Sequence, residues 1–187
     1  MRVILKSIAS ALKRPTHFFI KLFFDSKYLT GRHFDGSLAG YVWGVRAIWV
    51  RNILRLDRTY PFPVALGARI SNPDNLTFHP DNLDNFQSPG LYLQNFSGHV
   101  TLGHGCYLAP NVGLITANHD PRHPDTHLPA EDVVVGEHCW IGMNSVILPG
   151  VVLGPRTVVG AGSVVTRPFP EGDCIVAGAP ARVIRKF

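Results

Sequence analysis

An aliphatic residue recurs at every sixth position in the C-terminal part of the chain, from Val135 to Val165. The members between these two are Ile141, Ile147, Leu153 and Val159. Four positions after each aliphatic residue, a second series of small residues follows the same period: Cys139, Ser145, Val151, Thr157 and Ser163. A six-residue repeat of this kind is typical of a parallel β-helix, in which each repeat forms one short strand and one turn.

Glycine follows most of the aliphatic residues directly, at Gly136, Gly142, Gly154 and Gly160. Because a tight corner often needs a backbone with positive φ, and glycine adopts it without steric cost, we expect these glycines to have positive φ.

The aliphatic period extends upstream, with a poorly repeating region at its start. Leu114, Leu108, Leu102 and Phe96 continue the six-residue spacing, and Leu66 falls in the same phase. Between Leu66 and Phe96 the aliphatic positions hold Asn72, Asp84 and Gly90. We therefore expect the first coils to be either irregular or shifted in register.

The period fails once more, between Leu114 and Val135, which are twenty-one residues apart. The stretch 116–132 contains three prolines and many His and Asp residues, which indicates a loop that leaves the β-helix and returns to it. Loops held on a rigid scaffold are frequent sites of function, so we look for the chemistry there.

The N-terminal part does not repeat, and we divide the chain into a helical or irregular capping segment over 1–62 and a β-helix over 63–187. Within the first segment, Trp43 to Leu56 has apolar residues at helical spacing with arginines among them, which predicts an amphipathic helix. Two interpretations stay open: the helix caps the first coil, or it lies on an anionic membrane face.

Composition narrows the classes of function. The 187 residues carry a net charge of +5, with the cations concentrated at both ends. The middle of the chain has no basic run with interleaved aromatics, so we expect no nucleic-acid partner. An odd number of cysteines, with Cys106 and Cys139 at inward positions, indicates a reducing compartment. No apolar stretch has the length of a spanning helix or a secretory h-region, so we expect a cytoplasmic protein, with peripheral contact at the inner membrane face as an open alternative.

Four ordered motifs carry a family resemblance. They are Trp140-Ile141-Gly142, ILPGV over 147–151, GAGSVVT over 160–166 and GAPARVI over 178–184. In this order and spacing, the segment resembles the C-terminal signature of the hexapeptide-repeat acyltransferases. It is most similar to the sugar O-acetyltransferases of the maltose, galactoside and colanic-acid types. The resemblance covers about residues 92–187.

The resemblance implies a left-handed β-helix with three hexads per coil, assembled as a homotrimer, in which acetyl-CoA and a sugar or glycan acceptor meet in clefts between subunits. It implies His119 as the general base, since Thr116-Ala117-Asn118-His119 matches the family's Thr-x-x-His. A sugar hydroxyl needs such a base when it attacks a thioester. It also implies the backbone N–H of Met143 as the donor to the oxyanion.

Further site residues follow from the same resemblance. A C-terminal tail over about 166–187 and the preceding corner bind CoA, through Ala161, Thr166, Arg167, Arg182 and Arg185. The acceptor is placed by Asn95, with Gln94 as the other candidate counterpart, and by Trp140, Asp120 and Glu131. Arginines suit a phosphate-rich ligand because their guanidinium groups donate two parallel hydrogen bonds.

The prediction is thus an acetyl-CoA-dependent sugar O-acetyltransferase of surface polysaccharide or glycan biosynthesis, with no metal. Two alternatives remain on the same fold. One is a metal hydratase of the β-helical carbonic anhydrase type, whose ligands would come from His119, His123, His127, Asp120, Asp125, His99 and His104. The other is a β-helical scaffold without catalysis.

Overall fold

A computed structural model describes residues 13–187 of the chain. The cations Arg2 and Lys6 and the apolar residues around them lie outside the described residues. The chain forms two compact units, divided between Leu66 and Gly67. None of the described helices is long and apolar enough to span a bilayer.

The first unit is helical, as its sequence predicts. A helix covers 13–20, a 3-10 turn covers Ser26–Tyr28, and an α-helix over Ala39–Ala47 continues directly into a π-helix over Ile48–Ile53. The helix predicted over Trp43 to Leu56 therefore begins and ends a few residues earlier. Arg51 is buried, and its guanidinium donates to the carbonyls of Val64 at 2.9 Å and Ala65 at 2.6 Å. Arg51 therefore links the helix to the last residues of the first unit. Its side chain is buried, whereas an amphipathic helix would carry it on the exposed polar face.

The second unit consists of three sheets of short strands, which we call A, B and C. Sheet A contains β1 (Arg69–Ile70), β3 (Tyr92–Gln94), β6 (Gly113–Ile115), β11 (Val146–Ile147) and β14 (Val164–Val165). Sheet B contains β2 (Leu76–Phe78), β4 (Val100–Leu102), β9 (Val133–Val135) and β12 (Val152–Leu153). Sheet C contains β5 (Tyr107–Leu108), β10 (Trp140–Ile141), β13 (Val158–Val159), β15 (Cys174–Gly178) and β16 (Ala181–Lys186). The 3-10 turns Pro73–Asn75 and Pro80–Gln87 lie in the first coil.

Strand pairing follows the six-residue period. Val146 pairs with Val164, Trp140 with Val158 and Val134 with Val152, each in parallel and eighteen residues apart. Eighteen residues are three hexads, and the chain contributes one strand to each of the three sheets before it returns to the first. The aliphatic residues from Val135 to Val165 and the small residues from Cys139 to Ser163 are all buried.

The first coils are longer than eighteen residues, which explains the poor upstream period. Ile70 pairs with Leu93 across twenty-three residues, and Leu93 pairs with Leu114 across twenty-one. Leu93, which is buried, therefore occupies in the preceding coil the inward position that Leu114 occupies in its own coil. The inward positions predicted for Phe96 and Leu66 are wrong, because both side chains are exposed by more than two fifths.

The repeated glycines are needed for a different reason from the one predicted. Gly136, Gly142, Gly154 and Gly160 are absent from the residues with positive φ. A Cβ at Gly136 would lie 2.7 Å from the carbonyl oxygen of Leu153 in the next coil, and the other three glycines face their neighbouring coils as closely. Positive φ occurs two residues later, again with a period of six, at His138, Asn144, Gly150, Arg156 and Gly162.

Three edges join the sheets, and we name each by the residues that form it. The A–B edge contains 71–75, 95–99, 116–132, 148–151 and 166–168. The B–C edge contains 79–87, 103–106, 136–139, 154–157 and 170–173. The C–A edge contains 109–112, 142–145 and 160–163. These edges determine which of the predicted site residues lie close to one another.

Two segments leave this regular winding. The stretch 116–132 is confirmed as an insertion at the A–B edge, and it contains an antiparallel ribbon of β7 (His119–Asp120) and β8 (His123–His127) in place of an irregular loop. The C-terminal tail forms the antiparallel pair β15 and β16, which ends sheet C.

Candidate functional site

The root of the ribbon is fastened to the preceding coil by one glutamine. The Gln94 side chain accepts from the backbone N–H groups of Thr116 at 3.1 Å and Ala117 at 3.0 Å, and it donates to the Ala117 carbonyl at 3.0 Å. Thr116 is buried, and its hydroxyl donates to the Gln94 carbonyl at 2.7 Å. The ribbon therefore begins from a fixed point of the scaffold.

His119 is exposed on the first strand of the ribbon, and its ring orientation is fixed by a backbone group. Its Nδ1 lies 2.6 Å from the carbonyl oxygen of Pro124. A carbonyl oxygen only accepts hydrogen bonds, so Nδ1 carries a proton. In the neutral imidazole the lone pair is then on Nε2, the nitrogen on the other side of the ring. This is the protonation state that a general base requires.

Two aromatic rings form a row with His119. His127 is its cross-strand partner, with ring centroids 4.3 Å apart. Phe96, which is partly exposed at the A–B edge, lies edge-on to His127 with ring centroids 5.1 Å apart. The row Phe96, His127, His119 limits the rotation of the imidazole, because a change of rotamer would lose these ring contacts.

The acidic residues predicted near His119 have other contacts. Asp120 Oδ1 accepts from the backbone N–H of Arg122 at 2.8 Å, which closes the turn of the ribbon. The Glu131 carboxylate lies over Gly150, in the space that a Cβ at that glycine would occupy. Pro124, which the sequence gives no reason to select, takes the orienting position beside His119.

Asn95 lies in the interior of the A–B edge, with no exposed surface. Its Oδ1 accepts from the Asn72 N–H at 3.0 Å, and its Nδ2 donates to the carbonyls of Asn72 at 2.7 Å and Asn75 at 3.0 Å. The geometry gives Asn95 the role of a corner residue that joins two coils, because its amide is already saturated. A free polar group for an acceptor is therefore lacking at Asn95, and Gln94 is equally engaged in the ribbon root.

Met143 and Ala161 come together at the C–A edge. The Met143 carbonyl accepts from the Gly162 N–H at 2.8 Å, so the two corners are stacked. Within residues 13–187, the Met143 N–H donates to no protein acceptor, and its side chain is exposed. Gly142 lets the corners approach, because a Cβ there would lie 2.6 Å from the Ala161 nitrogen. The unbonded N–H of Met143 and the small, exposed Ala161 therefore lie side by side on the surface, and we call these two stacked corners the shelf.

Sheet C carries an aromatic and cationic outer face. Trp140 pairs directly with Tyr107 across the sheet, and both side chains are about half exposed. Arg182 and Arg185 are exposed on β16, at the edge of the same sheet. Thr166 and Arg167 lie apart from them, at the A–B edge, where the Arg167 guanidinium is 5.3 Å from the Phe169 ring. Tyr107 is a neighbour of Trp140 that the sequence interpretation missed.

The predicted catalytic pair is separated within one chain. His119 leaves from the A–B edge, whereas Met143 lies on the C–A edge, and a strand of sheet A separates the two at every level of the coil. One copy of the described chain therefore holds these two predicted residues on separate edges, and we call the two places the half-sites.

Thiol and metal chemistry do not coincide with these half-sites. Burial raises the pKa of the Cys106 thiol to about 12, so it is not a nucleophile near neutral pH. In residues 13–187, one group of three His, Cys, Asp or Glu side chains has metal-ligand spacing, and it consists of His79, Asp81 and His104. Of the seven ligands considered for a hydratase, only His104 is in that group. His99 lies at the A–B edge, where its Nε2 is 2.8 Å from the Thr77 hydroxyl.

Comparison with known proteins gives the family context. Residues 132–167 match the family model described as bacterial transferase hexapeptide (six repeats). The galactoside O-acetyltransferase of Escherichia coli K12 is 39% identical over 91 residues, which are 47% of this chain and 44% of that protein. The putative colanic acid biosynthesis acetyltransferase WcaF of Escherichia coli K12 is 35% identical over 89 residues, 48% of each. The chain spans about half the length of the curated relatives it matches.

Among solved structures, a point mutant of AntD, an N-acyltransferase from Bacillus cereus, superposes with a TM-score of 0.51 at 19% identity. The match covers 66% of this chain and 79% of that one, and it speaks for the fold alone. The resemblance to the hexapeptide-repeat acyltransferases is confirmed by the family model and the curated relatives together.

Proposed function

We propose that this chain is an acetyl-CoA-dependent acetyltransferase that acts on a hydroxyl group of a sugar, within surface polysaccharide or glycan biosynthesis. The observation that carries the proposal is the 2.6 Å contact between His119 Nδ1 and the Pro124 carbonyl oxygen, because it leaves Nε2 as the basic nitrogen of the neutral ring. The activities for which the curated relatives are named, galactoside O-acetyltransferase and colanic acid biosynthesis acetyltransferase, support the reaction class.

In the proposed reaction, Nε2 of His119 removes the proton from the acceptor hydroxyl as its oxygen attacks the thioester carbonyl of acetyl-CoA. The carbonyl oxygen becomes an oxyanion and accepts a hydrogen bond from the Met143 N–H. Collapse of the tetrahedral intermediate breaks the carbon–sulfur bond, and the imidazolium returns its proton to the departing thiolate. The Pro124 carbonyl stabilises the imidazolium in between, because Nδ1 stays protonated throughout.

The same proposal includes a homotrimer with a left-handed winding. Its support is the separation of His119 and Met143 on different edges, because a second copy can bring its C–A edge to the ribbon of the first. The CoA arm then follows the shelf at Met143 and Ala161. The phosphates meet the exposed cations of β16 and the A–B edge, namely Arg182, Arg185 and Arg167.

The first unit supports peripheral contact with an anionic membrane face as part of this proposal. Leu38, Val42, Val45 and Trp49 are exposed along one helical stripe and line a groove of about 640 Å³. Lys13 and Arg46 line the same groove, and a cationic rim around exposed apolar side chains suits an anionic lipid surface. Sedimentation with vesicles of anionic and of neutral lipid tests this, and equal binding to both compositions would contradict it.

The decisive experiment compares His119→Ala with His123→Ala in acetyl-CoA turnover against sugar and oligosaccharide acceptors, read by CoA release and product mass. Loss of a general base costs about 10²- to 10⁴-fold in rate, so we expect that loss for His119→Ala. His123 is an exposed residue of the same ribbon and serves as the matched control, with a rate close to that of the unmodified chain. Transfer by His119→Ala at the unmodified rate would exclude the assignment.

A further inference from the structure

The B–C edge contains none of the predicted catalytic, acceptor or CoA residues, yet it holds an ordered group of chemically active side chains. His79 and Asp81 begin the 3-10 turn of the first coil, and His104 lies above them in the next coil. In the described part of the chain, these three form the one group whose ligand atoms all lie within 4.8 Å of one another. The group therefore needs an explanation that is independent of the proposed reaction.

Two of the three distances between the ligand atoms are close to those of a coordination sphere. Asp81 Oδ2 lies 3.4 Å from His104 Nε2 and 3.7 Å from His79 Nδ1. In a tetrahedral zinc site with bonds of about 2.0–2.1 Å, neighbouring ligand atoms are about 3.3–3.4 Å apart. The carboxylate oxygen is thus close to both imidazole nitrogens, and all three ligand atoms lie within 4.8 Å of one another, so an ion bound between them would draw the ligands closer together.

The segments that carry these ligands are already fixed to each other. The Asn82 side chain is fully buried, donates to the Gly103 carbonyl at 2.7 Å and accepts from the Gly105 N–H at 2.9 Å. These two bonds join 79–82 to 103–105 on both sides of His104. Such preorganisation lowers the entropic cost of binding, because the ligands need not be brought together by the ion.

The hydrogen bond of His79 shows which of its ring nitrogens has a lone pair for a metal ion. His79 Nδ1 accepts the Asp81 N–H at 3.1 Å, so that nitrogen carries a lone pair directed towards the turn. Metal binding exchanges this one hydrogen bond for a coordinate bond. Both imidazoles are about half exposed, which leaves a fourth position open to water. A further imidazole, His138, lies edge-on to His104 with centroids 5.8 Å apart, in space that Gly105 leaves free.

We propose that His79, Asp81 and His104 bind one divalent transition-metal ion of the zinc type, which joins the first two coils of the β-helix. Two imidazoles and one carboxylate select Zn²⁺, Ni²⁺ or Cu²⁺ over Mg²⁺ and Ca²⁺, which prefer oxygen ligands alone. The site stabilises the fold at the start of the solenoid. It takes no part in acetyl transfer, because it lies on a different edge from both half-sites.

The test is a calorimetric titration of the chelator-treated full chain with ZnCl₂ and, separately, with MgCl₂. We expect one Zn²⁺ per chain, a melting temperature raised by Zn²⁺, and no effect of Mg²⁺. Loss of an outer partner of a metal ligand weakens binding about 10- to 100-fold, so His104→Ala and Asp81→Asn must lose at least that much affinity. His123→Ala is the matched control because it removes an exposed histidine elsewhere.

Two outcomes overturn the proposal. One is unchanged Zn²⁺ affinity in both His104→Ala and Asp81→Asn. The other is loss of binding in His123→Ala or His119→Ala, which would move the ion to the ribbon. Acetyl transfer by chelator-treated protein is measured in parallel, and unchanged turnover in His104→Ala keeps this result separate from the proposed function. The absorption spectrum of the Co²⁺-loaded chain gives an independent readout of tetrahedral geometry.

Discussion

Replacement of Gly136 by alanine should destabilise the β-helix, although this residue has an ordinary backbone conformation. The added Cβ would lie 2.7 Å from the Leu153 carbonyl oxygen and 2.8 Å from the Gly154 carbonyl carbon, both backbone atoms of the next coil. Neither atom can move aside without displacing its own coil. The Gly136 N–H also donates to the Leu153 carbonyl at 2.9 Å, so separation of the coils lengthens a ladder bond.

The expected size of the effect follows from these contacts. Forced overpacking costs about 1–3 kcal/mol and the weakened hydrogen bond about 1 kcal/mol, which together give about 2–4 kcal/mol. At about 2–4 °C per kcal/mol for a chain of this size, the melting temperature should fall by about 4–16 °C. Thermal unfolding followed by circular dichroism at a fixed protein concentration measures this.

Gly113→Ala is the matched control. Gly113 is another β-helix glycine without positive φ, but the nearest atom to its added Cβ is a Val146 methyl at 3.8 Å, an ordinary contact. Its alanine variant should melt no lower than the unmodified chain and at most about 4 °C higher, since a compatible Gly→Ala change stabilises by only about 0.4–1 kcal/mol. Equal melting temperatures for the Gly136 and Gly113 variants would refute the close-approach explanation.

Three further predictions concern charge and reactivity. Arg182→Ala combined with Arg185→Ala should raise KM for acetyl-CoA at least tenfold with little change in kcat, as expected for lost phosphate contacts, and steady-state kinetics decide this. Cys106 should resist thiol reagents at pH 8 in the folded chain, because burial raises its pKa to about 12, and labelling in denaturant serves as the control. The hydrogen bond from Arg156 lowers the pKa of Asp173. The stabilisation by this pair is therefore present above the ordinary Asp pKa and disappears as the pH falls through the lowered value. Asp173→Asn should reduce this pH dependence of the melting temperature, measured between about pH 6 and about pH 3.

The six-residue period predicted parallel strands with inward aliphatic residues, because it reports directly which side chains face inward; the three hexads per coil were implied by the family resemblance. Val135 to Val165 confirm it residue by residue. The same reasoning misplaced Phe96 and Leu66, since the first coils contain twenty-one to twenty-four residues and a count of six loses its phase there. In these longer coils a buried asparagine side chain bonds the backbone of the neighbouring coil, as Asn95 does with Asn72, and such polar corners leave no hydrophobic period in the sequence.

The candidate site residues could be selected from the sequence, but their contacts could not. The interruption of the repeat located His119, but the group that orients it is a backbone carbonyl, and every residue possesses one. His127 became recognisable as its neighbour only after the antiparallel ribbon was known, because cross-strand pairs depend on register. The group at His79, Asp81 and His104 combines two coils, so the spacing along the chain gives little indication of it.

The ribbon at the A–B edge returns the chain in register. Leu102 pairs with Val135 across thirty-three residues and Val135 with Leu153 across eighteen, so the insertion adds fifteen residues without shifting any strand that follows. Because Gln94 and Thr116 fix its root, the segment from Thr116 to Val133 can be exchanged as a unit without changing the coils on either side. Under the proposed function, we expect that exchange of this segment with that of a relative changes the acceptor preference and leaves the length of the stacked sheets unchanged.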